Sequence, residues 1–166
     1  MKRKSALILI LLAQIVGIAL CQAQLSNLIG RWEVEITFGN GEERSLRFEA
    51  WDGGTGSFLL LDPRSKAWGP AKPSNVQWTS GNDGSVLLSG PIEFPLGNIG
   101  RDPGTLVFRG KFGTDGTIKG AAEFFRLDQN PKDPKAKPSK SGSFKAVRSS
   151  GEDLRKALCR IEHQRP

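Results

Sequence analysis

The chain has 166 residues, a formal net charge of +7, 20 glycines, 10 prolines and no tyrosine. This length supports one domain with a single core and argues against two domains. Three of the cations lie within the first four residues, so the remainder carries a net charge of only +4. So small an excess is not typical of nucleic-acid-binding proteins, and we expect no nucleic-acid partner.

Residues 1–23 have the pattern of a signal peptide for export. Residues 2–4 are basic, residues 6–20 are apolar except for Gln14, and residues 21–23 end in alanine, as cleavage sites do. The apolar run is shorter than the roughly 20 residues that a transmembrane helix needs, so we expect no transmembrane anchor. The sequence therefore predicts a secreted or periplasmic protein.

The two cysteines leave a second possibility for the N-terminus. Cys21 follows Ile18-Ala19-Leu20, a stretch similar to a lipobox, so lipoprotein anchoring at Cys21 is the alternative to full release. After simple cleavage only Cys159 remains, and a single thiol cannot form an internal disulfide. We expect a monomer, with a minor disulfide-linked dimer through Cys159.

Alternation of apolar and polar residues predicts an all-β protein. Trp32 to Phe38 alternate with period two, which buries one face of a strand, and Asn40-Gly41 follows as a hairpin signal. Seven further runs of this kind are separated by turn residues, with Pro91 marking a bulge or an unpaired position. The predicted strands are residues 31–38, 43–51, 55–61, 75–80, 85–94, 105–112, 117–125 and 142–148. Their simple order favours an eight-stranded antiparallel up-and-down β-barrel, which leaves no unpaired edge.

The lengths of the predicted connections differ between the two ends of such a barrel. Tight turns join the strands at one end, whereas residues 62–74, 95–104 and 127–141 form long connections at the other. Long connections usually carry a function or are disordered. We therefore expect the functional end to be the mouth where these loops meet.

The segment Leu28-Ile29-Gly30-Arg31-Trp32-Glu33 resembles the opening motif of the lipocalins and the wider calycin superfamily. The resemblance implies that a turn at Gly30 closes the barrel floor and that Trp32 begins the first strand. It also implies that Arg148, at the end of the last strand, packs across the Trp32 ring, a cation–π contact. The short first loop and the absence of tyrosine leave the subfamily unassigned.

The predicted domain organisation has three parts: a signal peptide over residues 1–23, a lipocalin-like barrel over residues 24–148, and a helix with a tail over residues 149–166. The helix prediction rests on a capped start after Ser150 and on one apolar stripe. The stripe consists of Leu154, Ala157, Leu158 and Ile161. Such a helix would pack on the outside of the barrel.

The interior of the predicted barrel is rich in aromatic residues and leaves two functions open. An eight-stranded barrel either fills with side chains or holds one small ligand. The first hypothesis is an exported barrel that binds a small apolar or amphipathic ligand at its mouth. The second is an interaction or inhibitor module with a filled interior. The candidate ligand-binding residues are Trp68, Arg64, Arg101, Phe38, Trp78 and Phe94.

A barrel enzyme of the cyclase-like or dirigent-like type is the third hypothesis, and we expect no enzyme. His163 is the only histidine and no Ser-His-Asp or Cys-His arrangement can be built around it. No paired Cys/His spacing indicates a metal, and no motif indicates a cofactor. The basic stretch Lys132 to Lys140 either attracts anions to the mouth or merely keeps a loop soluble. Trp51 lies on the outward parity, so it is either turned inward by a bulge or exposed.

Overall fold

The structure is a computed structural model that describes residues 28–61, 72–96 and 100–149. These residues form eight strands and one short 3₁₀ turn, Asp52–Gly54. The strands are β1 Gly30–Phe38, β2 Glu43–Ala50, β3 Thr55–Leu60, β4 Ser74–Ser80, β5 Ser85–Leu96, β6 Gly100–Phe112, β7 Ile118–Arg126 and β8 Lys140–Arg148.

The strands pair in sequence order and close into one antiparallel barrel, because β1 pairs with both β2 and β8. Trp32, for example, lies opposite Phe48 on β2 and Arg148 on β8. The predicted all-β, up-and-down, eight-stranded barrel is confirmed. We call the end near Trp32 the floor and the opposite end, where β1, β3, β5 and β7 finish, the mouth.

Three hairpins share one turn design, at Asn40-Gly41, Asp83-Gly84 and Asp115-Gly116. In each, the glycine has a φ of 73 to 79° and its N–H bonds to the carbonyl three residues earlier. The preceding Asn or Asp side chain accepts a hydrogen bond from the N–H two residues after itself, at 3.0 to 3.1 Å. Only the glycine has positive φ, so this is a three-residue loop with a glycine bulge rather than a two-residue turn.

The connection predicted over residues 95–104 is wrong. β5 continues to Leu96 and β6 starts at Gly100, and the two strands pair without interruption from Ser85 opposite Lys111 to Leu96 opposite Gly100. The chain therefore forms a long hairpin at the mouth instead of a loop. Proline and glycine in this stretch suggested a loop, but cross-strand pairing overrides that local preference.

Prolines in this hairpin lie where they do not break the ladder. Pro91, Pro95 and Pro103 all fall within the continuous β5–β6 register, so the predicted bulge at Pro91 is absent. The ladder of β5 with β4 stops at Ser89, which leaves Pro91 beyond it. A proline fits an unbroken ladder only where its nitrogen faces away from the partner strand. The prolines therefore block the outer edges of the hairpin.

Aromatic side chains line the barrel interior. Trp32 and seven phenylalanines of the inner face are buried there, with exposures of 4% or less. The phenylalanines on the inner face are Phe38, Phe48, Phe58, Phe94, Phe108, Phe124 and Phe144. They lie on the inward parity of their strands, as the period-two pattern predicts.

Several predictions are settled or fall outside the described residues. Trp51 is 47% exposed and the β1–β2 register is unbroken beside it, so the exposed alternative holds. The signal peptide, Cys21, the helix predicted after Ser150 and Cys159 lie outside the described ranges. Within those ranges, no helix is long and apolar enough to span a bilayer.

Candidate functional site at the barrel mouth

Both ends of the barrel are closed by a cation from β8. Lys140 begins this strand at the mouth and Arg148 ends it at the floor. They are eight residues apart and therefore point to the same, inner side of the strand. The mouth and the floor must be described separately, because their cations have different partners.

At the floor, Arg148 covers the ring of the buried Trp32. The guanidinium carbon lies 4.6 Å from the ring centroid, and one nitrogen donates to the Ile29 carbonyl at 2.9 Å. The Trp32 indole N–H donates to the Leu28 carbonyl at 2.8 Å. These bonds tie the chain before β1 across the bottom of the barrel.

Gly30 makes this floor arrangement possible. Its φ is +128°, a conformation that residues with a side chain rarely adopt. A Cβ atom at this position would lie 2.8 Å from a guanidinium nitrogen of Arg148. The glycine therefore provides both the backbone conformation and the space that the arginine needs.

At the mouth, Glu42 binds two cations that face the interior. Its carboxylate accepts two hydrogen bonds from Lys140, at 2.9 and 3.1 Å, and pairs with Arg44 at 2.5 Å. The side chains of Glu42, Lys140 and Arg44 are 19, 15 and 10% exposed. We call these three residues the mouth cluster.

The mouth cluster lies on a layer of three buried rings. The Lys140 ammonium is 5.6 to 5.9 Å from the centroids of Phe38, Phe94 and Phe124. The Arg44 guanidinium is 5.7 Å from the Phe94 centroid. Cations at this distance over aromatic faces are attracted by the ring quadrupole. The mouth cluster therefore separates an apolar interior from solvent.

Opposing effects set the pKa of Glu42. Burial raises it, but hydrogen bonds from Lys140 and Asn40 and the charges of Arg44 and Lys140 lower it by more, so the net pKa lies below its ordinary value. The carboxylate is therefore ionised at neutral pH. The mouth cluster then carries two positive charges and one negative charge.

No family model matches the chain, and no curated protein or solved structure matches it. Function must therefore be argued from the geometry of the described residues.

The predicted ligand-binding residues separate into different places. Phe38 and Phe94 lie together beneath the mouth cluster, 6.0 Å apart between ring centroids. Trp78 lies at the floor, where its indole N–H bonds to the carbonyls of Trp51 and Thr55. Arg101 is in β6, on the outer face, and pairs with Glu93 at 2.8 Å. The remaining two candidates, Arg64 and Trp68, lie outside the described residues.

Of the mouth cluster, only Lys140 is singled out by the sequence pattern, as the end of the basic stretch in the predicted connection over residues 127–141. Lys140 instead begins β8 and shares its parity with Phe144 and Ala146, which indicates that it faces inward. Arg44 has the same relation to Leu46 and Phe48. Charged residues at inward positions at the end of a strand are thus the sequence signal that could have found this cluster.

A second ion pair lies beside the mouth. Asp102 is 5% exposed and accepts hydrogen bonds from Arg126, the nearer at 3.0 Å. Because Gly104 and Arg126 form the last pair of the β6–β7 ladder, this ion pair ties the projecting part of β6 to the end of β7.

A shallow groove of about 310 Å³ lies on the outside of the barrel, at the floor. Arg31, Trp51 and Ser149 are among the residues that line it. Across the described part of the chain, no group of three or more His, Cys, Asp or Glu residues could hold a metal ion.

Proposed function

We propose that this protein is an exported barrel whose interior is a structural core and which acts by binding a partner through its outer surface. The observation that supports this proposal is the set of ring contacts between buried aromatic side chains in the interior. It favours the interaction module over a barrel that carries a small ligand inside.

Ring contacts link different strands across the barrel interior. Phe58 contacts both Phe48 and Phe108, at 5.7 and 5.6 Å between centroids. Phe108 also contacts Phe144 at 4.7 Å. Edge-to-face pairs at such distances are attractive beyond the burial of their area. These contacts support an interior that is filled by side chains.

We also propose that the fold is lipocalin-like, within the calycin superfamily. Support comes from the floor, where Gly30, Trp32 and Arg148 have the relation that the resemblance implies. The physical basis of this relation is the 4.6 Å contact between Arg148 and the Trp32 ring. Gly30 leaves room for it, because a Cβ atom at that position would lie 2.8 Å from Arg148.

Native mass spectrometry of the protein recovered from the compartment to which it is exported tests the filled interior. We expect the mass of the polypeptide without a retained small molecule. We also expect no saturable response of tryptophan fluorescence to fatty acids or to uncharged apolar dyes. A retained ligand or a saturable response would contradict the interaction module.

One observation favours the second candidate, the binding of an amphipathic anion at the mouth. Lys140 and Arg44 together present two cations above apolar rings, and the Glu42 carboxylate pairs with both of them. A carboxylate or phosphate head group could take the place of the Glu42 side chain, which belongs to an exposed hairpin turn. Charge-assisted bonds to the two cations would then hold the ligand.

The substitution Glu42→Gln tests this second candidate. Loss of the carboxylate leaves a stronger positive site, so an anionic amphiphile is expected to bind the variant more tightly than the wild type. An uncharged amphiphile of the same chain length is the control. If neither protein binds either amphiphile, the second candidate is wrong.

A further inference from the structure

The long β5–β6 hairpin projects beyond its neighbours at the mouth. β6 pairs with β7 only from Gly104 onwards, so four residues of β6, from Gly100 to Pro103, extend past the end of that ladder. At about 3.3 Å per residue, this projection is about 13 Å. The paired ends of β5 and β6 therefore extend beyond the end of the β6–β7 ladder.

Exposed leucines lie at the mouth ends of three strands. Leu96 near the hairpin tip is 43% exposed, Leu127 directly after β7 is 77% exposed, and Leu61 directly after β3 is 37% exposed. Single exposed leucines are common on protein surfaces. Here, however, all three face the same end of the barrel.

Lysines lie in the connections at the same end of the barrel. Lys72 precedes β4, and Lys132, Lys135 and Lys137 lie in the connection between β7 and β8; all four are exposed. The acidic residues in these described connections are Asp128 and Asp133, apart from Glu42 in the mouth cluster. We call the three leucines and four lysines the mouth rim. It combines apolar side chains with a positive net charge.

The connection between β7 and β8 is held in place by Gln129. Its side-chain oxygen accepts hydrogen bonds from the Arg126 N–H at 2.9 Å and from the Ser139 hydroxyl at 2.7 Å. Its side-chain nitrogen donates to the Lys137 carbonyl at 2.9 Å. The lysines are therefore presented on an ordered loop, which lowers the entropy cost of binding.

The projecting hairpin is poorly suited to pairing with a strand of another protein. Pro91 and Pro95 on β5 and Pro103 on β6 remove backbone donors from its outer edges. A binding partner that needs no backbone pairing, and that accepts both leucine side chains and lysine charges, is the surface of an anionic bilayer.

We propose that the mouth rim docks this protein onto the surface of anionic membranes. The leucines enter the interface between head groups and acyl chains, and the lysines bind the anionic head groups. This inference rests on the proposed function, since it names the partner of the outer surface. The barrel itself stays outside the bilayer, with its floor and the Trp51 groove facing away from the membrane.

Sedimentation with lipid vesicles tests the proposal. The protein, with its N-terminus and any attached lipid identified by mass spectrometry, is mixed with vesicles of phosphatidylcholine alone or of phosphatidylcholine with phosphatidylglycerol. We expect binding to the anionic vesicles that weakens as salt is raised. Each lysine near the surface contributes about a fivefold factor, so Lys135→Ala is expected to lower the partition coefficient about fivefold.

Matched variants separate the mouth rim from the rest of the surface. Leu96→Ser and Leu127→Ser are expected to reduce vesicle binding, whereas Leu87→Ser, an equally apolar change on the barrel wall, leaves it unchanged. All variants have the same N-terminus, so differences between them report the rim. Circular dichroism and melting temperatures verify that each is folded.

The outcomes are decisive. Equal binding to both kinds of vesicle, no binding to either, or an equal loss in Leu87→Ser would overturn the docking proposal. Addition of an uncharged apolar dye without vesicles separately tests the filled interior. Dye uptake would overturn the proposed function, whereas failure of vesicle binding alone would overturn only the membrane partner.

Discussion

The guanidinium of Arg148 lies 4.6 Å above the ring of Trp32, although 116 positions separate the two residues in the chain. This contact joins the last strand to the first, so it forms only when the barrel is closed. The presence of this contact therefore indicates that the barrel is closed. Arg148 contributes a cation–π interaction of about 0.5 to 2 kcal/mol in addition to its hydrogen bond to Ile29.

Trp32→Ala is expected to lower the free energy of unfolding by about 3 to 5 kcal/mol, because it removes a large, fully buried ring. Trp51→Ala is the matched control, since this tryptophan is 47% exposed. Its effect is expected to be much smaller. Denaturant unfolding of the two variants measures the difference, and equal midpoints would show that the floor does not stabilise the barrel.

Gly30→Ala is expected to destabilise the protein by about 1 to 3 kcal/mol through backbone strain, and further through the clash with Arg148. The clash disappears in Arg148→Ala, but the strain does not. The cost of Gly30→Ala is therefore expected to be lower in the Arg148→Ala background, by at least about 0.5 kcal/mol. A double-mutant cycle measures this coupling, and additive effects would argue against direct contact.

The mouth cluster is expected to make stability depend on pH. The pKa of Glu42 is lowered in the folded protein, so its contribution is fully present above the unfolded-state pKa of about 4.5 and is lost as pH falls through the lower folded-state pKa. Glu42→Gln removes this contribution, with a cost at neutral pH of about 1.5 to 3 kcal/mol for hydrogen bonds between charged groups. The free energy of unfolding, measured from neutral to acid pH, is expected to fall less steeply in the variant.

Glu43→Gln is the control for that experiment, because Glu43 is the exposed next residue, at the start of β2. The carboxylate of Asp83, in the turn between β4 and β5, also has a lowered pKa. Hydrogen bonds from the Ser85 side chain and backbone and from Lys111 lower the pKa of Asp83 to about 2. Its titration, followed by NMR, is expected to lie well below the ordinary pKa of an aspartate. If Glu42→Gln leaves the pH dependence of the free energy of unfolding unchanged, the mouth cluster does not cause that dependence.

If the interior is filled as proposed, Phe108→Ala is expected to open a cavity in it that accepts a small apolar molecule. Phe108 is fully buried and contacts both Phe58 and Phe144, so its loss leaves a cavity and costs about 3 to 5 kcal/mol. Apolar cavities of this kind can bind benzene or xenon. Benzene is expected to raise the melting temperature of the variant and not that of the wild type. Stabilisation of both would indicate a cavity in the native barrel.

The sequence by itself determined the strands, their order and most of the side chains that face inward. These features depend on short-range patterns: period-two alternation in β1, glycine after Asn or Asp in three turns, and the aromatic parity of Phe108 or Phe144. Each pattern reflects a local cause, either the pleat of a strand or the φ angle of a turn. The barrel could be predicted because these local causes agree with each other.

Only the tertiary structure decided how the ends of the barrel are built. Glu42 and Lys140 are 98 positions apart, and nothing local indicates that closure of β8 onto β1 brings a carboxylate against that ammonium. In the same way, pairing across the ladder extends β5 and β6 through prolines that locally favour a loop. The mouth cluster and the projecting hairpin depend on cross-strand register, which is a property of the closed sheet and not of any one segment.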